Sequence, residues 1–196
     1  MTGTMERIEL EHGAWLIYWP QWFADDEPQL GEAIPWQAHQ IRIFGRWVNE
    51  PRLSAWIADP GLSYRYSGQL REPLSWPELL LPIRERLKQD LSVDFNSVLA
   101  NLYRNGQDAM GWHSDNEPEL GHEPLIASLS LGQPRRFLIR ENKQRHPVLE
   151  LSLGGGDLVV MGGTLQHYYQ HQIARTKKMV GPRINLTFRR IVSKGG

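Results

Sequence analysis

The chain has 196 residues, 40% of them hydrophobic and 22% charged, which is typical of one soluble domain with a sizeable core. It contains no cysteine, which excludes disulfides, zinc–thiolate sites and thiol nucleophiles and leaves His, Asp and Glu to hold any metal. No apolar stretch reaches the roughly 20 residues of a membrane span and the N-terminus lacks a signal-peptide pattern, so we expect a soluble, cytoplasmic protein.

The charges are unevenly distributed, although the net charge is zero. Residues 1–134 carry 10 Lys and Arg against 19 Asp and Glu, whereas residues 135–196 carry 12 against 3. This split is consistent with a basic surface for an anionic partner, or with pairing between the two halves of one fold. The sequence leaves both interpretations open.

The first 74 residues are rich in Pro, Gly and Trp and contain short apolar runs such as 41–44, so we predict a largely irregular segment. One helix follows. Ser75 and Glu78 have the spacing of a capping box, and Pro77 suits a first helical turn. The apolar residues that follow recur at helical spacing and form one stripe: Leu80, Ile83, Leu87 and Leu91.

From residue 97 onward, the pattern changes to the period of two that is typical of strands. The predicted strands are SVLANLYR, MGWHSD, LIASLSL, RRFLIR, VLELSL, DLVVM and RINLTFRR, separated by turns rich in Gly, Asn and Pro. Short strands with tight turns predict an antiparallel sandwich, a jelly roll with helices on its flank.

Two metal-binding side chains stand close together in GWHSDNEPEL, residues 111–120. Residues i and i+2 of a strand share a face, so we expect His113 and Asp115 to converge. A second histidine would complete the two-His, one-carboxylate set of non-haem Fe(II) oxygenases. His171 in HYYQHQI is the preferred third ligand and His167 the main alternative. Two further histidines lie in polar loops and are expected to be solvated: His122 and His146.

RINLTFR, residues 183–189, places four polar side chains on one face of a strand: Arg183, Asn185, Thr187 and Arg189. A solvent-exposed polar face would also give this pattern. If the face lines the same interior as His113 and Asp115, an anion is required, because an unpaired buried charge costs on the order of several kcal/mol. Arginine binds carboxylates through a two-pronged contact, which favours a small dicarboxylate. Asn101 and Tyr103 alternate in the same way and could donate neutral hydrogen bonds.

Taken together, these motifs resemble those of the AlkB family of Fe(II)- and 2-oxoglutarate-dependent dioxygenases, over about residues 40–192. The matching segments are NLY (101–103), HSD (113–115), PLIASLSLG (124–132), the region of His171, and RINLTFR. The resemblance is closest to family members that repair alkylated bases in DNA. It implies a single domain with an N-terminal extension, nucleotide-recognition lid and supporting helix in residues 1–96, and a jelly-roll (double-stranded β-helix) core in residues 97–192.

The resemblance also implies a set of site residues. Fe(II) is expected on His113, Asp115 and His171, the last matching the family's distal ligand. Six residues are expected to bind 2-oxoglutarate, with the two arginines on its carboxylates: Asn101, Tyr103, Arg183, Asn185, Thr187 and Arg189. Segments matching the lid are expected to touch a flipped base and its strand: Phe44, Gly45, Arg46, Tyr64, Arg65 and Tyr66.

Two residues after the metal motif bear on the substrate. Glu117 matches an acidic position that reads the exposed edge of the damaged base, and Asn116 departs from the charged residue common in the family. The implied reaction uses O2 and 2-oxoglutarate to hydroxylate an N-methyl group, releasing succinate, CO2 and formaldehyde. Cationic lesions such as 1-methyladenine or 3-methylcytosine would favour a nearby carboxylate.

The expected partner is alkylated DNA, bound by a monomer, and the target base must be flipped out or already single-stranded. Phe44, Trp56 and Tyr64 favour a nucleobase, although all three could serve packing alone. The alternatives are the same chemistry on RNA, protein or lipid, and a jelly-roll module that binds metal without turnover. The two arginines argue against the last, because an inert metal needs no dicarboxylate pocket.

Overall fold

Antiparallel β-strands make up most of the protein, which a computed structural model describes for residues 3–23, 27–43, 46–62, 64–66 and 69–192. The strands are β1 (Glu6–Glu9), β2 (Ala14–Trp19), β3 (Gln37–Ile43), β4 (Arg46–Ala58), β5 (Tyr64–Tyr66), β6 (Gln69–Arg71), β7 (Ser97–Tyr103), β8 (Met110–His113), β9 (Ile126–Gly132), β10 (Arg135–Glu141), β11 (Leu149–Leu153), β12 (Asp157–Gly163), β13 (Tyr169–Ile173) and β14 (Arg183–Arg189). The helices are α1 (Glu27–Ala33), α2 (Leu81–Leu91) and α3 (Leu165–Tyr168), with 3-10 turns at Glu11–Gly13, Glu78–Leu80 and Pro118–Leu120.

Two sheets face each other. The major sheet has the strand order β1-β2-β12-β9-β14-β7-β4-β3, and the minor sheet the order β11-β10-β13-β8. Phe137 and Ile139 of the minor sheet pack against Tyr103, Ile126 and Val159 of the major sheet. Strands β5 and β6 pair separately. The prediction of a mainly β jelly roll with flanking helices is therefore confirmed.

Helices α1 and α2 cover the outer face of the major sheet. Leu80, Ile83 and Leu87 are fully buried and pack in one cluster with Leu186 and Phe188 of β14, which confirms the predicted apolar stripe. Hydrophobic burial on this face supplies much of the stability that holds the central strands in place. Within the described residues, no helix is long and apolar enough to cross a membrane.

The helix begins later than its capping signal indicated. Glu78–Leu80 is a 3-10 turn that starts after Pro77, and α2 begins only at Leu81, with a proline in its first turn. Neither start carries a side-chain cap hydrogen bond, so the predicted capping box from Ser75 to Glu78 is wrong. The first N–H groups of a helix have no partner within it, and proline has no N–H to leave unpaired. Pro82 therefore favours a helix start at Leu81.

The prediction that residues 1–74 are irregular is also wrong. Strand β2 pairs with β12 over Ala14↔Gly163 to Trp19↔Leu158, and β4 pairs with β7 over Leu53↔Leu102 to Ala58↔Ser97. Both partners lie far away along the chain, so no local pattern of turns announces the pairing. The N-terminal strands widen the major sheet on both sides, and the division into extension and catalytic core stays a prediction.

Candidate active site

Two adjacent strands of the minor sheet bring two histidines together. His113 at the end of β8 lies opposite His171 in β13, and their ring centroids are 4.2 Å apart. Asp115 follows two residues after His113, and the ligand atoms of the three residues all lie within 4.8 Å of one another. Strand β13 was missing from the predicted strands, yet it is the element that delivers His171.

Asp115 is held by contacts outside any strand. The predicted strand through Asp115 is wrong, because β8 ends at His113. Instead, the backbone N–H of Asp115 donates to Oε1 of Gln166 at 2.9 Å, and Nη2 of Arg189 donates to Oδ1 of Asp115 at 2.7 Å. These two bonds fix the direction of the carboxylate.

The remaining polar atoms of the cluster fit a metal ion. Oδ2 of Asp115 and Nδ1 of His171 are both buried and have no hydrogen-bond partner within the described part of the chain. Buried polar atoms are normally satisfied, and Nε2 of His171 lies 3.9 Å from Oδ2 of Asp115. An ion held by these two atoms would remove the cost of leaving the carboxylate oxygen alone. Nδ1 of His113 lies 2.8 Å from the carbonyl of Gly111, so it donates there and leaves Nε2 as the free lone pair.

The electrostatics of the cluster favour the forms that bind metal. Burial lowers the pKa of His171 to about 3, and burial likewise lowers the pKa of His113, aided by the charges of Arg189 and Arg52. Burial by itself raises the pKa of Asp115, but the charge of Arg189 and of the two histidines outweighs it and holds that pKa well below its usual value. At neutral pH the site therefore presents two neutral imidazoles and one carboxylate, the ligand set of non-haem Fe(II).

The competing histidines lie elsewhere. His167 is exposed, and its Nε2 contacts the backbone carbonyl of His122. His122 and His146 are themselves exposed. The structure thus brings His171, and not His167, to His113 and Asp115.

Strand β14 runs through the middle of the major sheet, between β9 and β7. Its four polar residues are at most 8% exposed, so the alternative of a solvated polar face is wrong. A chain of hydrogen bonds links the first three: Nη2 of Arg183 donates to Oδ1 of Asn185 at 3.0 Å, and Nδ2 of Asn185 donates to Oγ1 of Thr187 at 2.7 Å. Ser128 of β9 also donates to Oδ1 of Asn185, at 3.0 Å. These side chains are held rigidly before any ligand arrives.

Arg183 has an unused donor. It is 1% exposed, its Nη2 donates to Oγ of Ser130 at 2.7 Å, and its guanidinium lies 5.2 Å from the ring centroid of Tyr103. Its Nη1 is buried and has no hydrogen-bond partner among the described residues. Burial lowers the pKa of Arg183 to about 10, which still leaves it charged at neutral pH. A buried charge with a free donor suits a carboxylate ligand.

One pocket joins the metal cluster to the polar face of β14, although Arg183 itself is not among the residues that line it. It is lined by the His113, Asp115 and His171 cluster and by the polar residues Asn101, Tyr103, Asn185, Thr187 and Arg189. Apolar side chains complete the wall: Leu99, Met110, Phe137, Met161 and Ile173. The pocket therefore combines an apolar wall with many convergent polar groups, which suits a small polar ligand held beside a metal.

Three residues that support the site went unpredicted. Ser128 and Ser130 alternate with the apolar residues of PLIASLSLG, and that alternation was a usable signal for an inward polar face. Gln166, which supports Asp115, stands in the short helix α3, where nothing in the local pattern indicates its role.

The predicted substrate residues whose side chains the structure describes, Arg46, Asn116 and Glu117, are not among the residues that line this pocket. Asn116 is exposed and Glu117 half-buried, and Glu117 precedes the Pro118–Leu120 turn, so it does not extend a strand face from His113. Arg46 is exposed on β4. Phe44 and Gly45 lie outside the described residues, as do the side chains of Tyr64, Arg65 and Tyr66, whose backbone forms β5.

Trp56 serves packing. It is 5% exposed and lies in a cluster with Leu99, Leu120 and Ile191. The interpretation of Trp56 as a packing residue is therefore preferred to stacking on a base.

Comparison with known proteins places the chain in one class of enzymes. Residues 6–189 match the model of the 2OG-Fe(II) oxygenase superfamily. The DNA oxidative demethylase ALKBH2 of Bos taurus is 37% identical over 160 residues, covering 78% of this chain and 58% of the relative. ALKBH2 of Arabidopsis thaliana is 32% identical, covering 94% of this chain and 69% of the relative.

A third relative, alpha-ketoglutarate-dependent dioxygenase alkB homolog 3 of Bos taurus, is 37% identical, covering 83% of this chain and 59% of the relative. The structure of OsALKBH1 superposes with a TM-score of 0.65 at 18% identity, covering 94% of this chain and 100% of that one, which supports the fold. This chain therefore belongs to the AlkB family of the 2OG-Fe(II) oxygenase superfamily, whose members use Fe(II), 2-oxoglutarate and O2. It spans somewhat less than two thirds of the length of the two Bos taurus relatives.

Proposed function

We propose that this protein is an Fe(II)- and 2-oxoglutarate-dependent dioxygenase that removes N-methyl groups from bases in DNA. The observation that carries the proposal is the single pocket shared by the His113, Asp115 and His171 cluster and the buried polar face of β14. The names of the ALKBH2 relatives, DNA oxidative demethylases, support a nucleic-acid substrate.

The residues divide into two groups by what they would bind. His113, Asp115 and His171 would hold the iron, which supplies the activation of O2 when it is bound. Arg183 would pair with one carboxylate of 2-oxoglutarate through its free Nη1. Arg189 keeps Asp115 charged and directed, while Asn101 and Tyr103 offer hydrogen bonds from the adjacent strand β7.

The reaction couples the oxidation of 2-oxoglutarate to the oxidation of the methyl group. 2-Oxoglutarate loses CO2 and gains one oxygen atom of O2 to become succinate. The other oxygen atom enters a C–H bond of the N-methyl group and gives an N-hydroxymethyl group. Its C–N bond then breaks, the hydroxyl proton is lost, the base takes back the C–N electron pair, and formaldehyde leaves. The apolar side chains of the pocket wall limit the access of water to these reaction steps.

Base recognition must work at the rim of the pocket. A base stacked in a duplex cannot reach a buried site, so it must be flipped out or single-stranded. Glu117, two residues beyond Asp115, would place a carboxylate near a cationic lesion. Arg46 and Trp47 of β4 are exposed, Trp47 by 58%, and could contact the strand that carries the lesion.

The distribution of charge supports an anionic partner. Arginines of the acidic half pair with acids of the same half, as Arg84 does with Asp59 at 2.6 Å and Arg104 with Asp108 at 2.8 Å. One arginine of residues 135–196, Arg189, does pair with Asp115 of the acidic half at 2.7 Å. The pairs within the acidic half leave the rest of the basic surplus untouched, and this supports the interpretation of a basic surface.

The deciding experiment measures succinate and formaldehyde together. Oligonucleotides carrying 1-methyladenine or 3-methylcytosine, as single-stranded DNA, duplex DNA and RNA, should release both in equal amounts, and unmethylated oligonucleotides should release no formaldehyde. The variant His171→Ala is the control for the metal site and should release neither. Succinate without formaldehyde from every methylated oligonucleotide would move the substrate to another class, such as protein or lipid. Absence of both products from iron-loaded wild type would reject the dioxygenase assignment.

A further inference from the structure

Strand β4 carries an ion pair that the proposed reaction does not use. Glu50 and Arg52 are both 5% exposed, and Oε2 of Glu50 lies 3.2 Å from Nη2 of Arg52. The contact is an ion pair rather than an aligned hydrogen bond, since that same oxygen has no hydrogen-bond partner in the described residues. A buried pair of this kind gains little stability over apolar residues of similar size, because both ions lose their hydration. The pair therefore points to a local role and not to a gain in stability.

Arg52 contacts a residue of the pocket. Its Nε donates to Oδ1 of Asn101 at 2.7 Å. Strand β4 pairs with β7 so that Ser54 lies opposite Asn101, which makes Arg52 a diagonal neighbour of Asn101 on the same face of the sheet. The contact is thus built into the register of two central strands.

This contact decides which way the Asn101 amide points. Arginine carries donors and no acceptor, so the atom of Asn101 that faces Arg52 must be the carbonyl oxygen. The two N–H donors of the amide then point away from Arg52. Asn101 lines the pocket, so Nδ2 is the atom with which it can meet a ligand there. With the amide reversed, its carbonyl oxygen would face a carboxylate ligand and repel it.

We propose that Arg52, held in place by Glu50, is a positioning residue that orients Asn101 to donate hydrogen bonds to the co-substrate. The inference rests on the proposed function, because it takes 2-oxoglutarate as the ligand of this pocket. Arg52 acts through Asn101 and contributes to co-substrate affinity without needing to touch the co-substrate.

The test is a thermodynamic cycle on co-substrate binding. Arg52→Met by itself would leave Glu50 as an unpaired buried charge, so the pair is replaced together by Glu50→Gln and Arg52→Met. The dissociation constant of 2-oxoglutarate is measured by calorimetry with Mn(II) in place of iron and without O2, which avoids any dependence on turnover. The paired replacement should weaken binding about 5- to 20-fold, and Asn101→Ala about 10- to 100-fold, as expected for hydrogen bonds to a charged group.

Coupling separates positioning from a merely structural role. In the Asn101→Ala background, the paired replacement should change the dissociation constant less than about twofold, because its effect passes through Asn101. The conservative variant Arg52→Lys keeps a donor and a charge and should recover part of the affinity. A matched control replaces the exposed pair Arg136 and Glu150, 2.6 Å apart, by Met and Gln and should leave the affinity unchanged.

Three outcomes would overturn the proposal. Equal weakening with and without Asn101 would mean that Arg52 acts independently of it. Full affinity in the paired replacement would mean that Asn101 needs no orientation. Full affinity in Asn101→Ala would remove Asn101 from the co-substrate site, while leaving the role of Arg183 standing. A wild-type protein that binds no 2-oxoglutarate would instead reject the proposed function itself.

Discussion

The two faces of strand β14 are equally buried and chemically opposite. Ile184, Leu186 and Phe188 point outward into the apolar cluster beneath the helices. Arg183, Asn185, Thr187 and Arg189 point inward and are linked by hydrogen bonds or, for Arg189, by its contact with Asp115. One strand therefore supplies stability on one face and the means to bind ligands on the other.

The difference between the two faces shows how the protein tolerates a buried charged side chain. Burying Arg183 with an unused donor is unfavourable until an anion arrives. The helices packed on the outer face hold the strand in position regardless, so the polar face stays organised before binding. Substitutions on the two faces should therefore separate the free energy of unfolding from the affinity for the co-substrate.

The largest effect should come from the metal cluster. His171→Ala removes one of three ligand atoms, and activity should fall below detection because two residues cannot hold iron in a working geometry. Anaerobic Fe(II) with 2-oxoglutarate should give a visible charge-transfer band in the wild type, and the band should be lost in this variant. His167→Ala, on an exposed residue four positions away, is the control. Loss of the band in His167→Ala, with the band kept in His171→Ala, would exchange their roles.

On the outer face, Leu186→Ala should lower the free energy of unfolding by about 2–5 kcal/mol, because it opens a cavity in a fully buried cluster. The 2-oxoglutarate affinity of the folded protein should change little. Thr187→Val, one residue along and on the inner face, should weaken 2-oxoglutarate binding more than it lowers the free energy of unfolding. The reason is that it removes the oxygen that accepts a hydrogen bond from Asn185. Denaturant unfolding and calorimetric titration distinguish the two. Equal loss of affinity in both variants would show that the faces are not independent.

Arg183→Lys should reduce kcat/KM for 2-oxoglutarate by a factor equivalent to about 2–3 kcal/mol of activation free energy. An ammonium cannot reproduce the two-pronged contact with a carboxylate. Steady-state kinetics with varied 2-oxoglutarate measure the effect. Arg136→Lys, on an exposed arginine of the minor sheet, is the matched control and should leave the kinetics unchanged. An unaltered requirement for 2-oxoglutarate in Arg183→Lys would show that the free donor has another ligand.

Residues expected to contact the base should affect activity on the nucleic acid alone, and by less. Aromatic stacking on a base contributes about 1–3 kcal/mol, which can offset the cost of flipping it out. Phe44→Ala should therefore lose more activity on duplex than on single-stranded DNA. Uncoupled conversion of 2-oxoglutarate to succinate should persist. Equal losses on the two forms of DNA would make Phe44 a packing residue.

Glu117→Ala offers a complementary test of base recognition. It should weaken activity on both forms of DNA, and more for cationic lesions such as 1-methyladenine than for neutral ones, because a carboxylate attracts positive charge. Relative rates on matched lesions measure this preference. An equal loss on cationic and neutral lesions would leave Glu117 without a role in reading charge.

Local sequence pattern determined much of the fold and of the candidate site. Period-two alternation placed Arg183 to Arg189 and Asn101 to Tyr103 on common faces, because side-chain direction in a strand depends only on position along it. The same rule placed His113 next to Asp115, although the strand stops between them. The absence of cysteine restricted the metal ligands to the residue types that the structure brings together.

Tertiary structure alone decided the rest. Strands β2 and β4 form by pairing with β12 and β7, far away along the chain, and β13 brings His171 opposite His113. Gln166 and Arg189 direct Asp115 from two other elements, and Arg52 reaches Asn101 across a strand pair. Pairing of distant strands depends on the partner's face and register, which the residues of one segment do not encode. The sequence therefore determined which side chains share a face, and the packing of the sheets decided which faces meet.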